Sequence, residues 1–308
     1  MKEDQPMELP AHGEATVRTL RMGSNYSTQF YFDLENSKIV HSGNVDSWHL
    51  SFENTGVGEA IFLNGGVGMA LVATDKSDFE EVGSSDHEGH QWVQDNPNGK
   101  HEESAIGNWN QNSLTRDRIY LIRLNESNEF VYAIKFKSVS STAYHFEFKQ
   151  LGTNNTTDCA IEKDPTRTYS YFNLKSQKTV ADVEPIKESW DLVFTRYGFT
   201  FHDQTPPLPY IVTGVLTQPE TEVYKDSLHD FYEIDEEILS KCDLQTNRDI
   251  IGFDWKYYDF DLGIYHIRQD YTYIIKTKNE QYFKLRFLSF YDDNGLKGTP
   301  TFEYRRIK

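Results

Sequence analysis

The chain repeats itself over a long period, and that repetition limits the folds open to it. The stretch EFVYAIKFKS at 129–138 aligns without a gap on EQYFKLRFLS at 280–289, and HFEFKQL at 145–151 aligns on TFEYRRI at 301–307. Upstream, YFDL at 31–34 followed by WHLSF at 48–52 answers YFNL at 171–174 followed by WDLVF at 190–194. Ile106-Gly107 with Trp109 answers Ile251-Gly252 with Trp255. Matching residues lie 140 apart at Tyr31 and Tyr171 and 156 apart at Phe146 and Phe302, so the second copy has gained a few loop residues. Matches in one order at nearly one offset indicate an internal duplication. A chain of 308 residues also fits two domains on length alone. The expected division is a leader at 1–14, a domain at 15–151, a linker at 152–165 rich in turn formers, and a second domain at 166–308.

The repeated stretches carry strand patterns. In the last one, Tyr273–Thr277, Tyr282–Tyr291 and Thr301–Ile307 read as three strands of a meander. They are separated by Lys278-Asn279-Glu280 and by Asp292-Asp293-Asn294-Gly295, where the chain must turn back. Apolar and polar residues alternate along the middle strand, as in an antiparallel sheet with one wet face. The same alternation places Trp190, Leu192, Phe194, Leu285 and Phe287 in one core. Nineteen Tyr and 20 Phe add to the strand preference. Residues 227–244, with Phe231, Ile234, Ile238 and Leu239 at helical spacing, are the one helix expected. Pro206, Pro207 and Pro209 call for a shaped loop before a strand at 210–216. The fold class is therefore all-β: two related antiparallel domains with at most one short helix.

Charge narrows the function. The formal net charge is −17 and the pI about 5.0, with cations scattered singly through the strands. Sequence-independent nucleic-acid binding needs clustered cations facing phosphate, and an anionic membrane surface would repel the chain. No apolar run is long enough to span a bilayer. The opening MKEDQPMELPAHGE has no signal core, so the protein is either cytosolic or has had a targeting segment removed. Cys159 and Cys242 either form one disulfide or remain two inert thiols. The glycines at 56, 58, 65, 66 and 68 lack the Gly-Lys-Ser/Thr of a phosphate loop and serve tight turns. No nucleophile elbow appears and no Cys pairs with a plausible base, so an enzyme is not expected.

The second copy, through YFNLKSQKTV, SWDLVFTRYG, LPYIVTGVL, IGFDWKYYDF and the final meander, resembles the HmuY family of Bacteroidota. The resemblance covers roughly 169–307. The first copy matches more weakly, through YFDLENSKIV, WHLSF, the Asn64-Gly65-Gly66 turn and its own meander. It implies an extracytoplasmic, outer-membrane or cell-surface lipoprotein, with a signal removed just before Lys2 and residues 1–14 as a tether. It also implies binding of haem or a related tetrapyrrole for uptake, in partnership with a TonB-dependent outer-membrane receptor or another outer-membrane complex. The alternative is a non-enzymatic surface lipoprotein that has lost haem and acts as an accessory subunit.

In haem-binding relatives two His or Met side chains clasp the iron, and the matching candidates here are His202, His229 and Met69. His202 follows the Trp190–Phe194 strand among Phe199, Phe201 and Tyr210, although its loop, HDQTPPLP, lacks the Asn-Gly-Gly turn. Met69 follows that turn in the first copy, where it serves either as a ligand or as core filler. His87, His90 and His101, among Asp86, Glu88, Glu102 and Glu103, form either a divalent-metal site or a solvated acidic loop.

Overall fold

The computed structural model describes residues 15–55, 58–83, 85–125 and 131–307, and the expected leader lies outside them. The first repeat contributes β1 (Thr16–Thr19), β2 (Thr28–Asp33), β3 (Lys38–Asn44), β4 (Leu50–Glu53), β5 (Ile61–Leu63), β6 (Ala70–Ala73), β7 (Ile119–Arg123), β8 (Val131–Val139) and β9 (Ala143–Gln150). The second contributes β10 (Thr157–Glu162), β11 (Tyr169–Asn173), β12 (Lys178–Val180), β13 (Leu192–Phe201), β14 (Leu208–Thr217) and β15 (Glu222–Asp226). It continues with β16 (Lys256–Asp259), β17 (Ile264–Ile267), β18 (Thr272–Lys276), β19 (Tyr282–Tyr291) and β20 (Lys297–Arg306). Pairing is antiparallel, as the alternating patterns require: along β9, Tyr144, Phe146 and Phe148 turn inward while the residues between them stay wetter.

The sheets take strands from both repeats. Two five-stranded sheets run β10-β9-β8-β7-β6 and β1-β20-β19-β18-β15. Two four-stranded sheets run β12-β11-β4-β5 and β14-β13-β2-β3, and β16 and β17 form a separate ribbon. Strands β1 to β3 thus complete the sheets of the second repeat, while β10 to β12 complete those of the first. The cores follow the same exchange. Phe172 and Leu174 sit with Phe52, Phe136 and Phe146, and Phe32 and Leu34 sit with Phe194, Phe287 and Phe302. The packed units are therefore 48–184 and a second one joining 16–44 to 187–307, whereas the limits 15–151 and 166–308 trace the sequence repeats. The segment expected as a linker holds β10, which covers the edge β9 would otherwise leave bare.

Three local expectations change. The helix expected at 227–244 shrinks to one turn, Glu236–Leu239, and the other α-helical turn among the described residues is Ser113–Arg116. Asp226 and Asp230 each accept backbone N–H groups two or three residues on, so side-chain turns replace the helical ladder there, while Asp235 caps the one turn that forms. Leu192, Phe194, Leu285 and Phe287 share one core as expected, but Trp190 leaves it and packs edge-on against Tyr31 at 4.9 Å. The bend at Asp191, whose carboxylate takes the Leu34 N–H, breaks the alternation there. Finally, β14 begins at Leu208 and includes Pro209, which an edge strand tolerates because its missing N–H costs no ladder bond.

Candidate functional site

The two repeats differ most in the hairpin after the Trp-bearing turn. In the first repeat β4 and β5 pair over three residues, Leu50 with Leu63 to Phe52 with Ile61. In the second, β13 and β14 pair over ten residues, Leu192 with Thr217 to Phe201 with Leu208. The longer hairpin projects an arm whose tip carries His202. Its rings consolidate one face: Phe199 meets Phe201 at 5.1 Å and Phe253 at 4.9 Å, and Phe201 meets Tyr210 at 6.3 Å.

Facing the arm is a loop of the first repeat. Asp95 is half-buried and accepts the N–H groups of Leu63 at 2.6 Å and Ala105 at 2.7 Å, which pins both ends of the loop to the first unit. Burial pushes its carboxyl up to about 7, against the pull of those two N–H groups. Glu103 accepts the side-chain amides of Asn96 and Asn98 at 2.6 and 2.8 Å, and Val93 bridges to Leu71. The Asn64-Gly65-Gly66 turn seals the base of this junction. A Cβ at Gly65 would fall 2.5 Å from the Gly198 nitrogen, and one at Gly66 the same distance from the Arg196 carbonyl oxygen, so only glycine permits the approach.

Between arm and loop lies an open cleft of about 320 Å³, with Trp92, Val93, Phe199, His202, Pro207 and Pro209 among its walls. That volume lies at the small end of ligand pockets. Apolar and aromatic walls with an imidazole at the rim suit a planar macrocycle held by one axial nitrogen. The Glu103 carboxylate, also on the wall, opposes acidic substituents. The guanidinium of Arg123 lies 4.9 Å from the Trp92 ring centroid and braces the wall from behind.

The other expected residues scatter. His229 is absent from the cleft walls, and its Nδ1 lies 3.0 Å from the Asp226 carboxylate. That contact and two backbone N–H donors hold Asp226 below the usual carboxylate range, although burial works against them. Met69 is sealed in the first core. His87 packs by Trp92 at 6.1 Å with Nδ1 buried and unpartnered, His90 is exposed, and His101 Nε2 donates to the Gly107 carbonyl at 2.9 Å. Among the described residues no three His, Cys, Asp or Glu side chains gather as a metal site. Both cysteines are free thiols.

Sequence reasoning missed Asp95, Trp92 and Phe253. The apolar pair Trp92-Val93 inside a polar stretch was the available signal for the wall. Nothing local marks Asp95, since its role depends on backbone groups 32 and 10 residues away.

The family described as "HmuY protein" matches residues 25–149 and 215–304. No curated protein matches. Among solved structures, apo PinO from Porphyromonas gingivitis aligns over 96% of this chain and 99% of its own, at 10% identity and a TM-score of 0.37. The apo HmuY analog of Tannerella forsythia aligns over 96% of both chains, at 10% identity and a TM-score of 0.27. A putative HmuY-like heme binding protein from Bacteroides vulgatus aligns over 94% of this chain and 91% of its own, at 10% identity and a TM-score of 0.23. Likeness at that level assigns nothing further to the chain.

Proposed function

The chain belongs to the HmuY family, and from that membership we propose that it binds haem or a related tetrapyrrole outside the cytoplasm, as a non-enzymatic component of haem acquisition. The cleft between the β13–β14 arm and the Trp92 loop carries this reading, because it joins apolar walls to an imidazole on one edge. His202 is the donor it offers. His229, engaged by Asp226, and Met69, sealed in the core, take no part in this arrangement. No helix among the described residues is long and apolar enough to cross a membrane. Placement at the outer membrane as a lipoprotein, and delivery to a TonB-dependent receptor, belong to the same proposal.

The test is titration of the purified protein with haemin. Wild type should give a saturable Soret shift, and His202→Ala should abolish it, while His229→Ala leaves it unchanged. A wild-type protein silent to haemin, or a His202→Ala variant binding as tightly as wild type, would defeat the assignment.

A second reading has its own observation. Phe260 is 88% exposed, Leu262 65% and Tyr210 57%, an apolar surface of the kind that contacts other proteins. A haemin-silent protein would favour an accessory subunit of an outer-membrane complex.

A further inference from the structure

Among the described residues that line the cleft between the β13–β14 arm and the Trp92 loop there is no lysine and no arginine. The ionisable groups on its walls are His202, Asp95 and Glu103. Both Asp95 oxygens are taken by backbone, Oδ2 by the Leu63 N–H and Oδ1 by the Ala105 N–H. Glu103 is held differently. Its Oε2 alone accepts the Asn96 and Asn98 side-chain amides, at 2.6 and 2.8 Å, which fixes the carboxylate on the wall.

The Glu103 charge is poorly cancelled. Lys100 Nζ lies 3.7 Å from Oε1, but the two side chains are 44% and 41% exposed, and a pair that long and that wet is weak. The charge is also felt in the second unit: burial raises the Asp249 carboxyl, and Glu103 adds to that shift. The Arg123 guanidinium stands behind the Trp92 ring, outside the lining.

Such a wall has nothing to offer an anionic substituent. A carboxylate brought against it loses water and gains no cation, a costly exchange. Trp92, Val93, Phe199, Pro207 and Pro209 offer the opposite, an uncharged surface. Haem has two unlike edges, one bearing both propionates and the other only methyl and vinyl groups. At about 320 Å³ the cleft is too small to enclose a whole macrocycle, so one edge stays in water.

We propose that the cleft takes tetrapyrroles by their uncharged edge, and that Glu103 is the specificity-determining residue that turns carboxylate-bearing edges outward. This selection rule, which rests on the tetrapyrrole reading above, restricts the ligand class to metallo-tetrapyrroles with at least one edge free of carboxylates. The propionates remain in solvent and add nothing to affinity.

Titration of the full chain with haemin, haemin dimethyl ester and iron(III) uroporphyrin, which carries carboxylates on every side, tests the rule. Haemin and its ester should bind within about twofold of each other. The uroporphyrin complex should bind about a hundredfold more weakly, because any edge then brings carboxylates to the wall. Glu103→Gln, which keeps an oxygen for the two amides, and Glu103→Lys should each narrow that gap by about tenfold while circular dichroism stays native. Added salt should narrow it in wild type and less so in Glu103→Gln. Glu237→Gln makes the same change of net charge at an exposed residue off the cleft walls, and should leave the gap intact. An ester bound about tenfold more weakly than haemin would show that the propionates are gripped, and would overturn the rule while leaving haem binding in place. So would a gap that neither Glu103 variant moves, or uroporphyrin bound as tightly as haemin. A wild-type chain silent to haemin and ester alike defeats the tetrapyrrole reading, and the rule with it.

Discussion

In the unit spanning 48–184, Phe52 stacks on Phe146 at 5.4 Å and 25°, and Phe172 meets Phe146 edge-on at 5.3 Å and 88°. In the other unit Phe194 stacks on Phe302 at 5.0 Å and 24°, and Phe32 meets Phe302 edge-on at 5.4 Å and 87°. The edge-on ring comes from the opposite repeat each time. So do the partners of the two tryptophans: Trp48 packs on Tyr171 at 5.0 Å and Trp190 on Tyr31 at 4.9 Å. Where the units differ, they differ at their ends and at single polar positions. Imidazole Nδ1 of His49 accepts the Leu174 N–H at 2.9 Å, while the Asp191 carboxylate accepts the Leu34 N–H at 2.8 Å. Ring packing tolerates little variation because interiors are close-packed. Loop ends and solvent-facing pockets carry no such constraint, and the candidate cleft lies there.

The largest expected effect comes from cutting the chain two ways. A fragment 45–186 contains one core with its exchanged strands, and should show a cooperative unfolding transition. The repeat 15–151 lacks Phe172 and should not. Folding of 15–151 alone, followed by thermal melting, would break the link between core and exchange.

Next come the paired rings. Phe136→Ala and Phe287→Ala should each cost about 3–5 kcal/mol in denaturant titrations. Phe287 lies parallel to Trp255 at 3.8 Å, whereas Phe136 meets Trp109 at 5.6 Å and 50°. A loss under about 1 kcal/mol at either position, typical of a surface site, would show that the face assignment is inverted.

The acceptor pair predicts opposite responses to pH. Burial raises the Asp191 carboxyl from 3.8 to about 7, with neighbouring Asp33 and Glu35 adding to the shift. The folded state then holds the proton more firmly, and this group's contribution is lost as pH rises from about 4 through 7. Burial lowers His49 from 6.5 to about 4, so its contribution is complete above 6.5 and is lost as pH falls through 4. Melting temperatures across this range should flatten on the alkaline side in Asp191→Asn and on the acid side in His49→Asn. Identical profiles for both variants would mean that neither group titrates as its burial requires.

The smallest effect belongs to the arm. His202 is exposed at a hairpin tip, so His202→Ala should change stability by less than about 0.5 kcal/mol. A larger loss would make it a structural residue and remove the contrast between conserved core geometry and free ends.

The amino-acid sequence by itself determined the antiparallel β class, the strands of the final meander to within a few residues, the repeated order of the strand patterns and most of the core, but it read β10 as linker. Period-two alternation and aromatic density act locally, so Leu192, Phe194, Leu285 and Phe287 could be placed inside without knowing their neighbours. Only the tertiary structure decided that β1 to β3 and β10 to β12 change places, because a strand pattern says which face is buried and not which edge it joins. The cleft was half legible: His202 was visible in its loop, but its opposite wall comes from a segment of the other repeat positioned by half-buried Asp95.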